Sequence, residues 1–227
     1  MLAHPRMRST LNALRAARWA HLVVANVRLL LGFAFLPAGL KKVLGERFTD
    51  AANTGPFHEF LHAFYATGAF YRFVGVVQLA IAALLMTQTY GTLGALLAVP
   101  VFAAITALCW STGAVFTGVM TTLMWLAAVG LCVWDYEPFV DVFVPPGRRR
   151  GARSAPPSQV DLGLWSRAGV VVIVLYLGTC AIGGGIYRPR GVELDNPAFY
   201  VFPLIAAVPI VALAIERRRQ SRGGAVR

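Results

Sequence analysis

Six apolar segments, each long enough to cross a lipid bilayer, constrain the fold of this chain more than any other feature of its sequence. A membrane-spanning helix needs about 20 mostly apolar residues, because each residue adds only about 1.5 Å of length. The chain is 57% hydrophobic and 14% charged, a composition typical of membrane proteins. We therefore predict an all-α polytopic membrane protein with about six spans. The segments are Leu22–Leu40, Phe70–Met86, Thr92–Trp110, Phe116–Trp134, Gly169–Ile186 and Phe199–Ile215.

The lengths of the connecting segments divide the chain into a four-helix transmembrane bundle and a C-terminal two-helix hairpin. Short connections force neighbouring helices to run antiparallel. Asn53-Thr54-Gly55-Pro56 is a helix-start signal, and the aromatic residues that follow predict an interfacial helix near 56–66 on the outer side. The predicted parts are a basic cytoplasmic arm (1–20), a four-helix membrane unit (21–135), a Pro/Arg-rich cytoplasmic linker (136–167), the hairpin (168–216) and a basic cytoplasmic tail (217–227).

The positive charge of the chain, +11 in total, is distributed in a way that indicates membrane topology. With the N-terminus inside, the arm, the linker and the tail hold fourteen of the 21 basic residues, and the outer loops hold six. Cytoplasmic loops carry such an excess of Lys and Arg. We therefore expect a multi-pass protein of the plasma (bacterial inner) membrane with both termini in the cytoplasm. No nucleic-acid recognition motif accompanies the charge, so the expected partner is the lipid bilayer rather than nucleic acid.

Arg28 is the one charged residue inside the first apolar segment. A guanidinium at the centre of a membrane helix costs about 2.5–3.5 kcal/mol on insertion scales, so it needs a compensating partner. Steps of four and three residues place Arg28 on one helical face with both glycines of the segment. We predict that this face packs against other helices. Its members are His21, Ala25, Arg28, Gly32, Phe35, Gly39 and Lys42.

Gln78, in the second segment, is the predicted partner of Arg28. Counted from the inner ends of the two segments, their depths differ by about 5 Å, within reach of two long side chains. Together they form a candidate intramembrane polar site, which either binds a ligand or is structural. In the alternative interpretation, the flexible stem of Arg28 extends to the inner headgroups.

The predicted interfacial helix contains His58-Glu59-Phe60-Leu61-His62, an HExxH pattern. Two histidines one turn apart can bind zinc, and the intervening Glu can act as a general base. A catalytic zinc also needs a third protein ligand. We favour the interpretation that His58 and His62 belong to the polar face of the helix, and we assign no catalytic residue.

The ten acidic residues all fall outside the six apolar segments. Proton pumps and proton-coupled carriers usually keep carboxylates within the membrane. This distribution therefore argues against those classes. The sequence also shows no haem-ligand pair, flavin fingerprint or thiol-redox motif, so no cofactor is evident from the residues themselves.

Residues 22–134 resemble the DoxX family of small bacterial membrane proteins. The resemblance rests on Arg28-Leu29-Leu30-Leu31-Gly32-Phe33-Ala34-Phe35-Leu36 followed by Gly39-Leu40-Lys41-Lys42, and on a similar second block, Phe73–Leu85. Arg28, Gly32, Gly39 and Lys42 are the family-motif positions. Many members carry Glu where Gln78 stands, and the last two segments lie outside the usual four-helix unit.

The resemblance implies an accessory or membrane-anchoring subunit of an oxidoreductase system, with quinone as the implied cofactor and a soluble or membrane redox protein as partner. The alternatives are a passive small-molecule or lipid carrier, a membrane scaffold, and a zinc hydrolase that uses His58, Glu59 and His62. The leading hypothesis places a quinone or lipid pocket near Arg28 and Gln78.

Overall fold

The computed structural model describes residue 11 and residues 13–136, 160–187 and 195–224, and the regular elements in these ranges are all helical. Within them, six helices are long and apolar enough to cross a membrane. This confirms the predicted all-α polytopic class with six spans. The first ten residues of the predicted arm, most of the predicted linker, including Arg148–Arg150, and the last three residues of the tail lie outside the described residues.

The first four predicted spans agree with helices to within a few residues, and the last two shift. The fifth long helix begins inside the predicted linker, because Asp161 caps it: its side chain accepts a hydrogen bond from the backbone N of Leu164 at 3.0 Å. The last helix continues through most of the predicted tail. The helices are α1 (Arg18–Val43), α2 (Pro56–Ala66), α3 (Ala69–Met86), α4 (Gly91–Ser111), α5 (Val115–Trp134), α6 (Leu162–Ile182) and α7 (Val201–Gly224), with a 3₁₀ turn at Pro197–Tyr200.

Helix α1 lies at the centre of the molecule. It packs against α3 and α5, and α4 closes the ring by packing against both of those helices. The hairpin of α6 and α7 lies against α1 and α3. On this side, the ring of Phe33 is 5.7 Å from Tyr176 of α6 and 6.2 Å from Phe202 of α7. Helix α1 thus packs both against the other helices of the four-helix bundle and against the hairpin.

The predicted glycine-bearing face of α1 is buried, as all seven of its members show. The closest approach is to α3, where a Cβ added at Gly39 would lie 2.9 Å from the carbonyl oxygen of Gly75. A Cβ at Gly32 would lie 2.4 Å from Cγ of Met86. Small residues let helix backbones approach closely in membranes, where lipid is as apolar as the side chains. The two glycines therefore fix where α1 rests on α3.

The antiparallel order of the long helices brings six helix ends together at one end of the molecule, which we call the N-terminal end. Helices α1, α4 and α6 begin there, and α3, α5 and α7 end there. The contact of Arg18 with Glu216, 3.6 Å between Nη2 and Oε1, joins the first and last of these helices. Helix α2 lies at the opposite end, where the ring of Phe64 is 5.0 Å from Tyr71.

Candidate functional site

Arg28 lies at the N-terminal end, where its guanidinium reaches two other helix ends. Nη2 donates to Oδ2 of Asp135 at 2.6 Å, just after α5. Nη1 lies 3.5 Å from Oε1 of Gln88, in the connection between α3 and α4. Arg28 is only 7% exposed. A buried cation is tolerated when it is paired and hydrogen-bonded, so these contacts account for the presence of Arg28 in an apolar helix.

One carboxylate oxygen of Asp135 accepts two hydrogen bonds. Its Oδ2 accepts from Arg28 and also from Oγ1 of Thr92, at 2.7 Å, in the first turn of α4. Charge-assisted hydrogen bonds of this length are stronger than neutral ones. Asp135 therefore ties the end of α5 to both α1 and α4.

Gln88 holds an unusual backbone conformation for a residue with a side chain. Its φ of 61° lies in the left-handed region, and its side chain is only 3% exposed. The amide Nε2 donates to the carbonyl oxygen of Ala25 at 3.2 Å, while Oε1 faces Arg28. Such a conformation costs of order 1–3 kcal/mol and persists only where surrounding contacts impose it. Here the amide's two contacts with α1 supply that constraint.

Gly91 leaves room for the guanidinium of Arg28. A Cβ built at Gly91 would lie 2.6 Å from Nε and 2.7 Å from Cζ of Arg28. Within the part of the chain that the structure describes, the buried Nε of Arg28 has no hydrogen-bond partner. The site thus contains an unused N–H donor on a fixed, buried cation.

A half-open cavity of about 200 Å³ lies beside Arg28. Its polar wall contains Arg28, Gln88, Asp135 and His21, and the remaining residues are apolar or aromatic. Concave sites with mostly apolar walls and a few convergent polar groups are typical of small-molecule binding. The nine lining residues are His21, Val24, Ala25, Arg28, Gln88, Trp134, Asp135, Val160 and Leu162.

The wall formed by His21 and Trp134 is supported by the N-terminal arm. The two rings meet edge to face at 5.1 Å, and a ring nitrogen of His21, Nε2, lies 2.9 Å from the carbonyl oxygen of Arg15. Arg15 in turn donates to the carbonyl oxygen of Trp134 and lies over the rings of Trp134 and Tyr136. These contacts hold the arm against the end of α5 and fix one side of the cavity.

The predicted pairing of Arg28 with Gln78 is wrong. Gln78 accepts a hydrogen bond from Nζ of Lys42 at 3.0 Å, whereas Arg28 bonds to Asp135 and Gln88. The prediction aligned the inner ends of the two apolar segments, but α1 extends past the end of α3. Gln88 faces Arg28 across the antiparallel pair, so Gln78 lies about ten residues, or about 15 Å, further along the axis.

Lys42 and Gln78 form a separate buried contact toward the opposite end of the bundle. They are 7% and 3% exposed. Nζ of Lys42 also donates to the carbonyl oxygen of Ala38 at 3.1 Å and lies 4.4 Å from the ring centre of Phe48. Hydrogen bonds and an aromatic face together offset the cost of burying an ammonium group. This contact joins α1 to α3 at a distance from the cavity.

The two histidines of the HExxH pattern contact the loop that precedes α2. Nδ1 of His58 lies 2.6 Å from Oγ1 of Thr49, and Nε2 of His62 lies 3.1 Å from the carbonyl oxygen of Asn53. Among the residues described, no group of three or more His, Cys, Asp or Glu side chains is placed to hold a metal ion. The observed role of the two histidines is to attach the loop to α2.

Glu216 corrects the expectation that every acid lies outside the helical spans. It lies in α7, is 3% exposed and accepts a hydrogen bond from Nε1 of Trp165 at 2.7 Å. It also accepts from the backbone N of Asp161 at 3.2 Å. The predicted apolar segment ends at Ile215, one residue before Glu216. The contacts of Glu216 hold the ends of α6 and α7 together.

Gln88 and Asp135 are the two site residues that sequence reasoning missed. Asp135 directly follows the fourth apolar segment, at the end of the bundle where the first segment begins. That position in the sequence could have indicated Asp135 as a partner of Arg28. For Gln88 the sequence shows only a short polar connection between two spans. Its left-handed φ and buried amide become visible only in the structure.

Comparison of the chain with family models, with curated proteins and with solved structures finds no match in any of the three.

Proposed function

We propose that this integral membrane protein is an accessory subunit of DoxX-like type, which anchors a quinone-linked oxidoreductase system in the plasma membrane. The observation that carries the proposal is the cavity beside Arg28, with a fixed guanidinium, a buried amide and apolar walls. Electrons would come from a partner protein that carries its own redox cofactor. The cavity would hold the headgroup of the quinone.

The residues of the cavity fit such a headgroup. The carbonyl oxygens of a quinone accept hydrogen bonds, and the two terminal nitrogens of Arg28 carry more N–H groups than their contacts with Asp135 and Gln88 use. A volume of about 200 Å³ is below the range of about 300–1,000 Å³ typical of drug-sized ligands. The cavity therefore suits a single ring, with an apolar tail left outside in lipid. When bound, a quinone supplies the capacity to accept two electrons and two protons.

Asp135 and Gln88 would act by positioning Arg28. Both bond to its guanidinium from fixed helix ends, so the cation keeps one orientation with or without a ligand. A preorganised donor loses little conformational entropy when a ligand binds. Trp134, Val24 and Leu162 supply apolar walls against which the ring of a quinone would pack.

The test combines binding and copurification. Protein isolated from its own membranes in mild detergent should carry quinone at close to one per chain, together with a partner that shows flavin, haem or iron–sulfur absorbance. Arg28→Gln should lower the quinone content and weaken binding of a short-chain quinone by tenfold or more. Arg72→Gln removes the same charge from an exposed position on α3 and should leave both unchanged.

Two outcomes would contradict the proposal. One is purified protein that contains neither quinone nor a redox partner while Arg28→Gln leaves quinone binding unchanged. The other is phospholipid in the cavity instead of quinone, which would favour the lipid-carrier or scaffold alternative. Either result is obtained from the same preparations by extraction and mass analysis.

A further inference from the structure

We infer that Asp135 determines the specificity of the cavity: by pairing with Arg28, it admits an uncharged headgroup and excludes anions. The inference rests on the proposed function, because it concerns the ligand class of the same cavity. It adds a role in specificity to the positioning of Arg28 by Asp135.

The charges around the cavity carry the first step. Of its nine lining residues, all within the described ranges, Arg28 is the one permanent cation and Asp135 the one acid. They form an ion pair, with 2.6 Å between Nη2 and Oδ2, in which the positive charge of Arg28 is balanced by the negative charge of Asp135. Charges attract more strongly in a partly buried site than in water, because the effective dielectric constant is lower. A wall without Asp135 would therefore attract anions.

The surroundings of the cavity make this exclusion necessary. Arg217, Arg218 and Arg219, near the end of α7, are exposed at the same end of the molecule as the cavity. Basic residues at a membrane surface concentrate anionic lipids near them. Phosphate and carboxylate headgroups would thus compete with an uncharged headgroup for the guanidinium of Arg28 in the half-open cavity.

The geometry shows why Asp135 is an effective barrier. Its Oδ2 accepts one N–H group of Nη2 of Arg28, a nitrogen that a phosphate or carboxylate would also use in a two-point contact. Nη1 faces Gln88, which leaves the buried Nε without a partner. Each terminal nitrogen keeps one further N–H group, and one such donor is enough for a single carbonyl oxygen. An anion bound to this guanidinium would lie beside the negative charge of Asp135, which Thr92 also holds in place at 2.7 Å.

The test compares a neutral and an anionic probe of similar size on the purified full-length protein, by quenching of tryptophan fluorescence or by calorimetry. A short-chain quinone is the neutral probe, and decyl phosphate in neutral detergent is the anionic one. The wild type should bind the quinone and bind decyl phosphate at least tenfold more weakly. Asp135→Asn should bind decyl phosphate on the order of tenfold more tightly than the wild type, with a loss of affinity as salt rises.

The controls separate charge in the cavity from charge at the protein surface. Asp161→Asn removes an acid that pairs with Arg219 at the same end, and asparagine is an equally good helix cap. This variant should keep the wild-type preference. The double variant Arg28→Gln/Asp135→Asn has no net charge in the cavity wall and should lose the gain in phosphate affinity.

The inference and the proposed function can fail separately. If quinone binds and Asp135→Asn gains no affinity for decyl phosphate, the inference is wrong and the proposed function stands. If Asp135→Asn gains phosphate binding but no quinone binds any form, the inference stands and the proposed function is wrong. Wild-type protein that binds decyl phosphate as tightly as the quinone overturns the inference even if Asp135→Asn fails to fold.

Discussion

At the scale of single residues, the backbone and the side chain of Gln88 have opposite effects on stability. The left-handed φ of 61° is unfavourable for any residue with a Cβ, whereas the amide bonds to Ala25 and faces Arg28. Glycine would adopt the same φ freely but would lose both contacts. The amide therefore explains why a strained backbone persists at the edge of the cavity.

Two truncations of Gln88 separate these effects. Gln88→Gly and Gln88→Ala both remove the amide, but only alanine keeps the strain. We expect Gln88→Gly to be more stable than Gln88→Ala by about 1 kcal/mol, the reverse of their order in a helix. Denaturant unfolding in mild detergent measures the difference. If alanine is the more stable of the two, the left-handed conformation is not maintained in solution.

At the scale of helices, close backbone contacts determine how α1, α3 and α6 fit together. Besides the glycines between α1 and α3, Gly169 of α6 lies against the end of α3. A Cβ built there would be 2.0 Å from the carbonyl oxygen of Met86, which is backbone and cannot move away alone. Glu216 and Trp165 then hold α7 to α6. Gly169 thus sets the close contact of the hairpin with α3, and the carboxylate of Glu216 holds the two helices of the hairpin together.

Two glycines of α6 provide a matched comparison. We expect Gly169→Ala to lower the free energy of unfolding by about 1–3 kcal/mol, because the methyl group forces α6 away from α3. Gly178→Ala has no heavy atom within 4 Å of the new Cβ and should be neutral or stabilise the helix by up to about 1 kcal/mol. Thermal unfolding in detergent reports both. Equal effects of the two substitutions would contradict this packing of the hairpin.

At the scale of the whole molecule, the structure places the described parts of the arm and the tail at the same end as the cavity. Arg15 contacts Trp134, and Arg18 contacts Glu216. Together with the charge distribution, this arrangement predicts that the cavity faces the cytoplasmic side. A partner that delivers electrons to it would then bind from the cytoplasm.

Cysteine labelling tests that orientation. Thr89 lies in the connection at the N-terminal end, and Ser111 ends α4 at the opposite end; both are exposed. We expect a membrane-impermeant maleimide to label Ser111→Cys in intact cells and Thr89→Cys only after permeabilisation. The wild type gives the background of the three native cysteines. Labelling of both positions from one side is incompatible with the predicted crossing of α4.

The amino-acid pattern alone predicts the number and extent of most helices and the buried face of α1, because span length and a period of 3.6 residues are local properties. It also shows that Arg28 needs a partner. The identity of that partner follows from the packing of the helices. That choice depends on the axial position of α1 against α3, which the contacts of Gly39 and Gly32 set. Asp135 and Gln88, distant from Arg28 in sequence, reach it because antiparallel helices bring their ends together.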